Sequence, residues 1–138
     1  MPRNIIQAVF LPAAPERVYD MYLDAEQHAA FTGAPVDIDM RAGGEFRAFD
    51  GMLTGTLLQL VAGRLIVQSW RSGNWPKEAI DSTLTLSFWS EGASGSEGEG
   101  TRIELVHANV PEVDFSGVSQ GWERYYWTPW REYLQSRG

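Results

Sequence analysis

The stretch Val118-Ser119-Gln120-Gly121-Trp122-Glu123-Arg124-Tyr125-Tyr126-Trp127-Thr128-Pro129-Trp130-Arg131-Glu132-Tyr133-Leu134 decides the fold. Val118, Trp122, Tyr125 or Tyr126, Pro129 and Tyr133 recur at helical spacing, and Trp127, Trp130 and Leu134 widen the stripe. The pattern predicts a long helix from about Val113 with one broad buried face. Pro129 lies inside it and predicts a kink there, because its ring displaces a backbone hydrogen bond. Gly121, beside Trp122, predicts a close approach of this helix to its packing partner.

Upstream, the period changes from helix to strand. Thr101 to Ala108 alternates, with Ile103, Leu105 and His107 on one side. Ser82 to Ser90 alternates Leu84, Leu86 and Phe88 with Thr83, Thr85 and Ser87. Glu91 to Gly100 holds only Gly, Ser, Ala and Glu, and reads as a flexible connection. Arg64 to Arg71, Met52 to Val61, Phe46 to Phe49 and Val36 to Met40 are further strands, with turns at Ala62-Gly63, Asp50-Gly51 and Gly43-Gly44. Ile5 to Leu11 is a first strand, apolar enough on both sides to be covered on both faces. Two short helices follow it. Pro15 and Glu16 suit a first turn, with Val18 and Tyr22 on the buried face. Asp24 caps the second, with Gln27 three residues on, and Gly33 ends it. Short connections between successive strands imply an antiparallel meander. The fold class is α+β: a curved seven-stranded antiparallel sheet wrapped on a long C-terminal helix, with two short helices after strand 1, in a single domain spanning 1–138.

Composition bounds the function. The chain has 138 residues, no Cys and a net charge of −7. Disulfides, thiolate nucleophiles and Cys-based zinc sites are excluded. The acidic balance argues against nucleic acid and against an anionic membrane surface. No stretch approaches the roughly 18 apolar residues of a membrane span. Gln7 and Pro12 interrupt the first apolar run, which reads as a strand and not a signal peptide. A soluble, cytoplasmic protein is expected. No cofactor is expected either: no metal-ligand spacing, phosphate loop or Gly-x-Ser-x-Gly elbow occurs in the right context.

The candidate chemistry is aromatic. Trp70, Trp89, Trp122, Tyr126 and Trp130 can approach the space between sheet and helix. They either fill it or line a cavity whose walls also include Phe88, Leu105 and His107. His107 reads as a satisfied buried residue and His28 as solvated. Glu45, Arg47, Gln68 and Arg71 are strand polar groups that orient a ligand or face water, depending on register.

These elements and motifs resemble the helix-grip superfamily called START-like or SRPBCC. Within it, the chain is similar to the C-terminal domain of the activators of heat-shock-protein-90 ATPase. The resemblance rests on Phe31-Thr32-Gly33-Ala34-Pro35, Arg41-x-Gly43-Gly44-x-Phe46, Asp50-Gly51, Gly55, Trp70-Arg71, Trp75-Pro76 and, most specifically, Gln120 to Tyr126. Ala62 departs from a turn proline common in the family. The resemblance implies a non-enzymatic binding module whose partner is a heat-shock-protein-90-type chaperone, with Phe31, Trp75 and Pro76 as candidate exposed contacts. It implies, as alternatives, a carrier of a small apolar molecule in the sheet–helix cavity or a polyketide cyclase or aromatase-like enzyme. Eukaryotic activators carry an additional N-terminal domain for which 138 residues leave no room, so weak chaperone contact is expected.

Overall fold

The computed structural model describes residues 2–92 and 99–136. Strand β1 (Arg3–Leu11) leads into helix α1 (Pro15–Leu23) and helix α2 (Ala25–Thr32). Strands β2 (Val36–Ile38), β3 (Glu45–Ala48), β4 (Leu53–Val61), β5 (Leu65–Ser72), β6 (Ser82–Gly92) and β7 (Glu99–Val110) follow. They form one seven-stranded antiparallel sheet in the order β1-β7-β6-β5-β4-β3-β2. The C-terminal helical run comprises α3 (Phe115–Gly121), a π-helical segment (Trp122–Trp127) and α4 (Thr128–Ser136).

The short helices form as their sequence predicts. Pro15 opens α1, which buries Val18 and Tyr22. Asp24 accepts the Gln27 N–H at 3.1 Å, and Gly33 closes α2 in the left-handed region at φ 78°. Three sequence readings change. Ile6 is 76% exposed, so β1 is covered on one face only. Its inner side holds Ile5, Val9 and Leu11, while Ile6 pairs with Val106 on an open outer face. Part of the stretch read as a flexible connection is strand: Glu91 pairs with Gly100 and Gly92 with Glu99. The rest of that reading lies outside the described residues.

The third change concerns Pro129. The irregularity lies one turn upstream of it. The Thr128 N–H bonds the Glu123 carbonyl, five residues back, as a π turn requires. Wider turns bring positions five apart onto one face. Trp122 and Trp127 accordingly stack, with ring centroids 5.3 Å apart. Trp122, Tyr126, Trp127 and Trp130 are all buried. The segment is fastened to the edge of the sheet by Gln7. Its amide accepts from Trp127 Nε1 at 2.8 Å and donates to the Ser119 carbonyl at 3.0 Å.

Candidate functional site

Two histidines organise the interior between sheet and helix. His107, on β7, is wholly buried. Trp122 Nε1 donates to its Nδ1 at 3.1 Å, so the ring proton sits on Nε2. Nε2–H then donates to Ser82 Oγ at 2.7 Å, and Ser82 donates to the Trp70 carbonyl at 2.7 Å. Every group in this chain is used once. Burial lowers the His107 pKa to about 3. The expectation of a satisfied buried histidine holds.

His28 corrects its expectation, being 1% exposed where a solvated residue was read. Its Nδ1 faces the Tyr22 carbonyl at 2.7 Å, which can only accept, so Nδ1 carries the proton. Its Nε2 accepts from the Tyr126 hydroxyl at 2.9 Å. Desolvation lowers its pKa to about 4, opposed by the Tyr22 hydrogen bond. Burial raises the pKa of Tyr126, and raises that of Tyr22 well above the ordinary phenol value. Tyr22 donates to Gln68 Oε1 at 2.7 Å, which places Gln68 inside the core. Phe31 stacks on Trp130 at 4.3 Å beside this group. Tyr22, Gln68, His28 and Tyr126 are neutral, mutually satisfied groups, and such networks fix a unique core packing, whereas the buried Trp130 Nε1 beside them has no hydrogen-bond partner among the described residues.

An opening lies beside the packed core. A cleft of about 420 Å³ lies between the C-terminal helix and the β3–β4 hairpin. The hairpin turn is left-handed at Phe49 (φ 53°), Asp50 (φ 59°) and Gly51 (φ 86°), which sets Phe49 at the cleft wall. Gly117 and Gly121 form a bare stripe along the helix side. The expected close approach at Gly121 is corrected here. A Cβ on Gly121 would meet only the Tyr125 ring, at 3.7 Å, so the glycine widens the cleft.

Of the candidate cavity residues, the structure brings Trp70, Trp122 and Tyr126 to this cleft. Phe88, Leu105, His107 and Trp130 lie within the packed interior and do not line it. Trp89 points outward, 47% exposed, opposite Arg102. Glu45 and Arg47 face solvent. The lining residues that sequence reasoning missed include Phe49, Met52, Leu53, Tyr125 and Asp114, with the polar Ser72 and Asn74 beside them. The Asp50-Gly51 turn signal pointed to the first two; no local signal marks Asp114.

At the neighbouring end of the molecule, Arg71 braces the 73–81 loop. It donates to the carbonyls of Ala79 at 2.5 Å and Pro76 at 2.7 Å and pairs with Asp81. Trp75 Nε1 donates to Asp114 Oδ2 at 2.8 Å, tying this loop to the start of α3. The expectation that Phe31 and Trp75 are exposed is corrected: both face the interior, while Pro76 is exposed. The large exposed apolar residues at this end are Ile80 (71%) and Val113 (87%), which border one groove of about 260 Å³. Among the described residues, no His, Cys, Asp and Glu gather as a metal would need, and no helix is long and apolar enough to cross a membrane.

The comparisons with known proteins agree with this architecture. Residues 12–135 match the family described as "Activator of Hsp90 ATPase homolog 1-like protein". The human "Activator of 90 kDa heat shock protein ATPase homolog 1" is 34% identical over 113 residues, covering 82% of this chain and 31% of that protein. A Dictyostelium discoideum activator homologue is 30% identical over 111 residues, 80% of this chain and 27% of that protein. The chain thus spans about a third of the length of the curated relatives it matches. Among solved structures, an HSP90 activator from Plasmodium falciparum superposes with a TM-score of 0.77 at 22% identity, covering 90% of each chain. Ara h 8.0201 shares the fold at 9% identity, with a TM-score of 0.71 over 99% of each chain. The chain belongs to the Activator of Hsp90 ATPase homolog 1-like family and has the helix-grip fold.

Proposed function

We propose that this domain docks on an Hsp90-type chaperone and stimulates its ATPase. The observation that carries the reading is the match over residues 12–135 to this family, with human, mouse and Dictyostelium discoideum relatives named as activators of that ATPase. The geometry adds a surface. Ile80 and Val113 present apolar side chains on a scaffold held by Arg71 and by the Trp75–Asp114 hydrogen bond. Rigid apolar anchors bind with little ordering cost. A cyclase-like reading has less support, because His28 and His107 spend both ring nitrogens on structural partners. The test is a titration of the cognate chaperone's ATPase with this protein. Stimulation that falls with Ile80→Ser and Val113→Ser, in variants with unchanged thermal stability, supports the proposal. An unchanged ATPase rate at saturating protein refutes it.

A further inference from the structure

The cleft beside Trp122 has a chemistry of its own, independent of any chaperone. Its volume of about 420 Å³ suits a small molecule, whose sites span roughly 300–1,000 Å³. Its walls are aromatic: Phe49, Trp70, Trp122, Tyr125 and Tyr126. Ring faces carry a negative quadrupole that attracts cations. Asp114 is the one charged residue of the lining, which contains no Lys or Arg. Its Oδ2 accepts from Trp75, and Oδ1 stands over Gly117, where a Cβ would come within 2.8 Å of it. No ion pair engages Asp114 among the described residues. The nearby Arg3 instead lies over the Phe115 ring, 3.9 Å from its centre. The carboxylate puts a negative charge at the cleft wall, in a protein whose net charge is −7, and a ring that turns its face to the cleft acts with the same sign. An anion would meet repulsion from Asp114.

We infer that the cleft is a binding site for a small organic ammonium ion with an apolar body, its charge set toward Asp114 and its body against Trp122, Tyr125 and Tyr126. Gly121 gives the body room along the helix, while Gly117 leaves space for Asp114 Oδ1 to stand over it. The inferred ligand keeps the apolar body of the expected carrier ligand and adds a positive charge.

The experiment titrates the protein with benzyltrimethylammonium, with its carbon isostere neopentylbenzene and with benzenesulfonate. The readouts are Trp emission and amide and indole NMR shifts. The expected result is saturable binding of the cation at the indoles of Trp70 and Trp122 and the amides of Gly117 and Gly121. Affinity for the cation should exceed that for the sulfonate by about ten-fold or more. Asp114→Asn keeps an acceptor for Trp75 and should weaken the cation about ten-fold while leaving the isostere unchanged. Tyr125→Ala, at a half-exposed position, should weaken the cation as well. The inference is overturned if the sulfonate or the isostere binds as tightly as the cation. It is equally overturned if neither variant weakens the cation, or if no saturable binding occurs at millimolar cation.

Discussion

Acid should destabilise this protein through its two histidines, well above the pH at which carboxylates protonate. Both are neutral in the folded state, with pKa values lowered to about 4 for His28 and about 3 for His107 against an ordinary 6.5. The unfolded chain binds these protons first. Stability is thus fully present above pH 6.5 and is lost as pH falls from there toward 4 and 3. Between pH 7 and pH 5 each histidine accounts for about 2 kcal/mol, so the pair costs about 4 kcal/mol. That is a large share of a typical 5–15 kcal/mol. The physical reason is visible in the hydrogen bonds. A protonated His107 would turn an N–H against the Trp122 N–H; a protonated His28 would force the Tyr126 hydroxyl to reverse its role and would leave a desolvated charge among aromatic rings. The assay is urea unfolding at pH 7, 6 and 5. With a slope of about 2 kcal/mol per molar, the midpoint should fall by about 2 M. The chain has only these two histidines and no Cys, so little else titrates in that window. His28→Gln should reduce the pH-dependent loss by about half, whatever it does to stability at pH 7. A midpoint that moves by less than about 0.5 M would refute the buried neutral pair.

Two other predictions concern the helix. Trp122→Ala removes a buried ring and leaves His107 Nδ1 without its donor; it should cost about 3–5 kcal/mol in denaturant unfolding, and a loss below about 1 kcal/mol would place Trp122 outside the core. Gly121→Ala meets ordinary contact only with the Tyr125 ring and relieves the entropic cost of helical glycine; its melting temperature should rise by the equivalent of about 0.5–1 kcal/mol, and a fall would mean the helix packs closely there.

Much of the fold is legible in the sequence because its periods are clean. The alternation of Leu84, Leu86 and Phe88 and of Ile103, Leu105 and His107 is the inner face of β6 and β7. The same alternation puts Trp89 outside, and treating it as an inner aromatic overrode the period. Long-range partners leave no local trace. His28 sits among Gln27 and Ala29 on α2, and its burial comes from Tyr126, 98 residues away. Trp75 is drawn inward by Asp114, 39 residues away. The π segment was hidden for a different reason: Pro129 marks a broken hydrogen-bond ladder but not the turn at which the helix absorbs the break.

The most direct test of the proposed function is to titrate the isotope-labelled protein with its cognate Hsp90-type chaperone and map the amide NMR changes. Shifts or broadening are expected to centre on Ile80, on Val113 and on the Arg71-braced loop between 73 and 81. Changes confined to the outer sheet face around Ile6 and Val106, or none at all with saturating chaperone, would contradict it.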